Sequence, residues 1–237
     1  MNQSDRRSEI SWARGMSAPS FALPPRIPRE DLFGNPDKAL PQISPDGARL
    51  AYLAPDEGVL NVWVKTIGTD DDRAVTRDRH RGIRSYAWTY DGSHLLYLQD
   101  SDGDENWHVW SVEVDGTAIR DMTPFLGAQS SLVAMEPAHP DTVLVSINAR
   151  DPRFHDVYRL TLSTGALEMI VENPGDVVGW YAAADLSVRA AMAATPEGGF
   201  ELRARSSDTD EFRPVIVWPA DEEGHAHALT LDGKGIY

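Results

Sequence analysis

The sequence predicts an all-β fold of four-stranded antiparallel units, about four of them complete and a fifth begun. Three observations carry this prediction. The first is a turn that returns. Ile43-Ser44-Pro45-Asp46-Gly47-Ala48-Arg49-Leu50-Ala51-Tyr52-Leu53 reads as strand, tight turn, strand. Gly tolerates positive φ, and Asp hydrogen-bonds its own backbone two residues on. The unit returns 45 residues later as Trp88 to Leu98 around Asp91-Gly92, and again at Asp232-Gly233. Asp46 to Asp232 spans 186 residues, or four periods averaging about 46. The second is an aromatic landmark: Asn61-Val62-Trp63-Val64 recurs as His108-Val109-Trp110-Ser111 and as Asp156-Val157-Tyr158-Arg159. The third is that no stretch carries apolar residues at helical spacing over about ten residues. Four short strands in a repeat of about 40–50 residues are the signature of a β-propeller blade. The ring is expected to be incomplete.

Residues 1–28 read as a flexible N-terminal arm, because they lack pattern and are rich in Pro, Ser and Arg. Residues 29–237 read as the partial propeller, entered through a short anchor helix at Glu30-Asp31-Leu32-Phe33-Gly34. Blade one is expected at 38–76, with strands before Asp46 and at 49–54, 60–66 and 73–76. Blade two is expected at 83–123, with strands near 84–88, 94–99, 107–114 and 118–123. Blade three is expected at 131–172, with strands near 131–135, 142–148, 156–162 and 166–172. Blade four, at 177–217, is a weaker copy built on Ser187 to Ala193, Phe200 to Ala204 and Pro214 to Val217. His225-Ala226-His227-Ala228-Leu229-Thr230 reads as the first strand of a next blade at 225–237, with Tyr237 inside its second strand. Propellers close into rings so that few edges stay open. A stop in mid-strand is therefore read as a fragment, a closed four-blade ring with a tail being the alternative. Open blade edges make poor solubility or self-association an expectation.

Composition sets outer limits. The 237 residues carry 37 acidic and 22 basic side chains, a net charge of −15, which argues against binding nucleic acid through phosphate neutralisation. There is no Cys, so disulfides, thiol catalysis and zinc–thiolate sites are excluded from the chain. No apolar run is long enough to span a membrane, and Met1 to Gly15 has no apolar signal core, so the expected location is cytoplasmic. Met16 is an alternative start.

The motifs for chemistry are weak. Asp100-Ser101-Asp102-Gly103-Asp104-Glu105-Asn106 invites a calcium loop, but Glu105 and Ser111 stand where the EF-hand needs Gly and Glu. The run reads as a solvated loop between two strands, with substrate or partner contact as the functional alternative. His225 and His227 would share one face of a strand, yet no third metal ligand follows from spacing. Arg150-Asp151-Pro152-Arg153 and His155-Asp156 are placed in a loop of blade three, as a carboxylate-binding site or a salt-bridge network. No Gly-x-Ser-x-Gly elbow and no Gly-rich phosphate loop occurs. No catalytic, metal or cofactor-binding residue is assigned, no cofactor is expected, and substrate-binding residues stay open.

Ser44 to Tyr52 and Asn61 to Val64 resemble the propeller repeats shared by TolB-type proteins and the prolyl oligopeptidase family of serine peptidases. Longer stretches resemble the second: Ile27 to Pro36, Tyr97 to Asp100 with Gly103 to His108, and Asn148 to Pro152 with His155 to Leu160. In order, they are similar to the N-terminal half of dipeptidyl aminopeptidase and acylaminoacyl-peptidase-like members. The resemblance implies a propeller that limits access to small peptides, followed by an α/β-hydrolase domain with a Ser-Asp-His triad and an oxyanion hole. No position in this chain matches a catalytic one. The expected function is the substrate-gating portion of a peptide hydrolase, inactive alone. The alternative is a stand-alone or TolB-like propeller that binds a protein or peptide, against which the missing signal peptide counts. Whether Asp104 or Glu105 grips a substrate amino terminus, as acidic residues do in some relatives, is left open.

Overall fold

A computed structural model describes residues 26–34, 37–222 and 224–237. The expected arm falls outside them except at 26–28. Residues 29–33 form a short helix, α1 (Arg29–Phe33), with Glu30 and Asp31 in its first turn. Within the unit from Pro36 to Tyr237, the described residues form sixteen strands in four antiparallel sheets of four.

Blade one is β1 (Ala39–Ile43), β2 (Arg49–Asp56), β3 (Val59–Thr66) and β4 (Arg73–Ala74). Blade two is β5 (Tyr86–Trp88), β6 (His94–Gln99), β7 (His108–Glu113) and β8 (Ile119–Asp121). Blade three is β9 (Ser130–Met135), β10 (Thr142–Asp151), β11 (Phe154–Thr161) and β12 (Ala166–Val171). Blade four is β13 (Val177–Ala182), β14 (Val188–Ala194), β15 (Phe200–Ala204) and β16 (Arg213–Trp218). In every sheet the strands lie in chain order, each paired with the next.

The recurring turn has a recurring hydrogen-bond set. Ser44 Oγ donates to Asp46 Oδ1 at 2.5 Å, and Asp46 Oδ1 accepts the Ala48 N–H at 3.0 Å. Thr89 and Asp91 repeat this, with 2.5 Å from Thr89 Oγ1 and 3.1 Å from the Ser93 N–H. Thr230 and Asp232 repeat it at 2.6 and 3.1 Å. Gly47 and Gly92 take φ of 71° and 68°, the left-handed conformation that closes the turn. Blade four keeps the carboxylate, Asp185 bonding the Ser187 N–H at 2.9 Å, but puts Leu186 at φ 58° where the others use Gly.

A second motif ties the third strand to the fourth. Thr76 Oγ1 accepts the Val62 N–H, and Thr123 Oγ1 accepts the Val109 N–H, each at 2.9 Å. These donors are buried, so the threonines supply partners that the ladder does not.

Adjacent residues on the second strands are buried in different cores. Leu95 packs with Ala51, Leu53, Val62 and Trp88 between blades one and two, whereas Leu96 packs with Val143, Val145 and Leu160 between blades two and three. Val143, Val145 and Ile147 face blade two, and Leu144 faces Leu186 and Val188 of blade four. A strand covered on both faces reads as a continuous apolar run, not an alternating one. Polar stitches join the innermost strands: Gln42 Nε2 donates to the Tyr86 carbonyl at 3.0 Å, and Trp88 Nε1 to the Gln42 carbonyl at 3.2 Å. Burial raises the Tyr86 hydroxyl pKa, and that hydroxyl donates to the Leu40 carbonyl.

Two local expectations are corrected. Arg150 to Asp156 do not form a loop. Asp151 pairs with Phe154 across a two-residue turn, so β10 and β11 run three and two residues further than expected. The extension is held by Asp151 Oδ1, which accepts the Arg153 N–H at 3.0 Å. Residues 225–230 do not form a strand. They make one isolated bridge, Leu229 to Ile236, with Tyr237 bonding His227 and Ala228. Their backbone finds ladder partners only in the last three residues.

Candidate functional site

Antiparallel order puts two kinds of segment at the same end of each blade. These are the loop between the second and third strands and the connection into the next blade. The Asp-Gly turns lie at the other end. At the first end, a cavity of about 700 Å³ is lined by the beginnings of the inner strands of blades two, three and four. Arg84 and Ser85 enter from the approach to β5, Ser130 to Val133 from β9, and Val177 to Trp180 from β13. Leu98, Trp107, Arg153 and His155 complete the wall from the hairpins.

Hydrogen bonds fix these residues. The Ser130 N–H donates to the Trp107 carbonyl at 2.6 Å, and the Gln129 N–H to Asn148 Oδ1 at 2.6 Å. The Ser131 and Ser146 hydroxyls meet at 2.7 Å. Trp180 Nε1 donates to the His155 carbonyl at 2.9 Å, and its ring lies 5.9 Å from that of Phe212. The Trp180 indole is thus anchored to backbone, and the Trp107 main chain is tied to the start of β9. Burial lowers the His155 pKa, opposed by the neighbouring Asp156 carboxylate.

The acidic run from Asp100 to Asn106 lies at this same end and is tied down at several points. The Arg81 guanidinium approaches the buried Asp100 carboxylate to 3.8 Å, and Asp100 Oδ2 accepts the Glu105 N–H at 3.3 Å. Gln129 Nε2 donates to the Glu105 carbonyl at 3.2 Å. Arg81 also crosses Gly103, where a side chain would collide with its guanidinium. The Asp104 carboxylate is used within the loop, accepting from the Ser101 and Asn106 N–H groups and from Asn106 Nδ2. Its pKa is lowered by those bonds. Asp102 and Glu105 adopt positive φ of 54° and 62°, a conformation that costs energy for residues with a Cβ.

The arginines of blade three form ion pairs with their own hairpin. Arg150 holds the fully buried Asp156 through two 2.9 Å bonds, and Asp156 Oδ1 also accepts the Asn173 N–H at 2.7 Å. Arg153 pairs with Asp151 at 2.8 and 3.0 Å and lies over the Phe154 ring. This is a salt-bridge network. It aligns the hairpin that carries His155 into the cavity wall. His225 and His227 are exposed, and among the described residues no group of three or more metal-ligating side chains is gathered.

Among the described residues, an Asp–Ser–His contact lies at the opposite end. Ser93 Oγ lies 2.6 Å from His94 Nδ1 and also donates to Asp91. The hydroxyl stands between carboxylate and imidazole, whereas a nucleophilic triad needs the imidazole between the other two. The group closes the blade-two turn.

Sequence reasoning passed over Arg84, Ser130, Trp107 and Trp180. Arg84, Trp107 and Ser130 share a signal of position, each at or just before the start of a strand at the connection end of its blade, whereas Trp180 lies within β13.

No family model matches the chain. Over 219 residues it is 38% identical to dipeptidyl aminopeptidase BIII of Pseudoxanthomonas mexicana, covering 89% of this chain and 31% of that protein. Over 200 residues it is 30% identical to dipeptidyl peptidase family member 6 of Caenorhabditis elegans, covering 81% and 27%. The chain thus spans about a third or less of the curated relatives it matches. Among solved structures, a prolyl endopeptidase superposes with a TM-score of 0.56 at 17% identity, covering 81% of this chain and 30% of that one. The propeller domain of the trilobed protease from Pyrococcus furiosus gives 0.51 at 21%, covering 76% and 56%. TolB from Acinetobacter baumannii gives 0.52 at 13%, covering 76% and 43%. At these identities the structures show the fold alone, a propeller of four-stranded blades. The chain is a propeller portion of the kind carried by prolyl oligopeptidase-family peptidases, homologous to dipeptidyl aminopeptidase BIII over 89% of its length.

Proposed function

We propose that this region admits and holds short peptides for a serine-peptidase domain that lies outside these 237 residues. In this reading that domain, not the propeller, supplies the nucleophile. The observation that carries the reading is the cavity where the inner strands of three blades begin. It has apolar walls at Leu98, Leu132, Val133, Val177 and Val178, two indoles, and a few polar groups at fixed positions. Such a mix is what a small-ligand site needs: apolar surface for affinity and a few polar groups for orientation. The kinship with dipeptidyl aminopeptidase BIII supports peptides as the ligand class.

The test pairs two measurements on the chain. Dipeptidyl and acylaminoacyl chromogenic amides are expected to show no turnover. Calorimetric titration with short apolar peptides is expected to show binding. Turnover by the chain alone would place a nucleophile within the propeller. Failure of every peptide to bind would remove the holding role. In the gene, the reading frame beyond codon 237 is expected to encode a Gly-x-Ser-x-Gly elbow, and a frame that closes without one would contradict the peptidase assignment.

A further inference from the structure

The charges around the cavity are nearly all accounted for. Arg81 faces Asp100, Arg150 holds Asp156, and Arg153 holds Asp151. Arg84 is the exception. It is exposed, lines the cavity, and makes no ion pair or side-chain hydrogen bond among the described residues. A second group lining the cavity is also unpartnered. Ser130 is 1% exposed, and its Oγ has no hydrogen-bond partner. Buried hydroxyls are almost always satisfied, and leaving one unmet is costly.

We propose that Arg84 and Ser130 form an anion subsite of this cavity, and that its ligand is the C-terminal carboxylate of a short apolar peptide. The proposal rests on the peptide-holding reading above. A guanidinium fork matches a carboxylate in two bonds, and the serine hydroxyl donates a third. The side chain next to that carboxylate would lie against Trp107 and Trp180. Burial lowers the His155 pKa, which disfavours a second cation in the same cavity. The subsite therefore selects for the free end of a peptide and sets the direction in which the peptide enters.

The experiment titrates the 237-residue chain calorimetrically with four probes. They are an apolar tripeptide with a free carboxylate, its C-terminal amide, an amidated peptide carrying one Glu, and inorganic phosphate. Charge-assisted hydrogen bonds of this kind lead us to expect the free acid to bind at least about tenfold more tightly than the amide. Arg84→Gln should abolish that preference, bringing acid and amide to the same affinity. Ser130→Ala should reduce the preference, with circular dichroism confirming the fold. Equal binding of acid and amide would overturn the subsite and leave the peptide-holding reading standing. So would a preference that survives Arg84→Gln. A Glu-bearing amide as tight as the free acid would overturn the C-terminal assignment, and phosphate binding tighter than the acid would replace the ligand. If neither peptide bound, both the subsite and the reading beneath it would fall.

Discussion

Arg150 grips Asp156 through two 2.9 Å hydrogen bonds, and the carboxylate it grips has no solvent exposure at all. The same carboxylate caps the Asn173 N–H, so one side chain joins the β10–β11 hairpin to the connection into blade four. Removing one member of a buried pair leaves the other uncompensated, which costs about 3–5 kcal/mol. Arg150 itself is exposed, so water screens part of that loss, and Arg150→Ala is expected to destabilise by less than the breaking of a fully buried pair would. Urea denaturation checks this, and a change below about 1 kcal/mol would mean that water replaces the arginine freely.

The blade cores make a separate prediction. Leu95 and Leu96 are both fully buried, one toward blade one and one toward blade three. Each change to Ala should cost about 2–5 kcal/mol, from lost transfer free energy and an unfilled cavity. Because the two side chains pack in different cores, the two costs should be close to additive even though the residues are neighbours in β6. A strongly non-additive double variant would argue that the two blade interfaces are one cooperative cluster.

How much of this was legible beforehand depended on whether a signal repeats. The Asp46, Asp91 and Asp232 turns use the same short side-chain bonds, so the sequence carries them three times. The alternation of Leu95 and Leu96 between two cores appears in the sequence as a plain apolar run, and that sufficed to place a strand. The cavity carries no such signal. Arg84, Ser130 and Trp180 come from three blades and meet only once those blades pack. The β10–β11 extension was missed because Pro152 and the charges around it read as loop, whereas the Asp151 cap and the Arg150–Asp156 pair turn the same residues into a hairpin. The 225–230 strand was missed the other way. Its sequence copies a first strand, but a strand needs partners along its length.

His155 gives a pH prediction. Burial lowers its folded pKa below the unfolded value of 6.5. Below that value the unfolded chain binds the proton more readily, so this residue's contribution is intact above it and fades as pH falls through the folded pKa. Thermal melts from pH 7.5 down to pH 5 should show a decline that His155→Gln makes shallower. An unchanged slope in the variant would assign the decline to other groups.

Exposed apolar residues on an edge predict association. In β16, Val215, Ile216 and Val217 are 57%, 46% and 58% exposed in consecutive positions. An apolar edge strand is a template for pairing with another chain. We expect the 237-residue chain to self-associate in sedimentation velocity, and Ile216→Lys with Val217→Lys to shift it toward monomer. A clean monomer at all concentrations before any substitution would contradict this.

Backbone amide exchange, read with and without a saturating short apolar peptide, tests the main proposition most directly. The account expects new protection at Ser130–Val133 and Val177–Trp180, where the inner strands of blades three and four meet the cavity. Protection that appears only at the Asp-Gly turns of the opposite end, or nowhere, would contradict it.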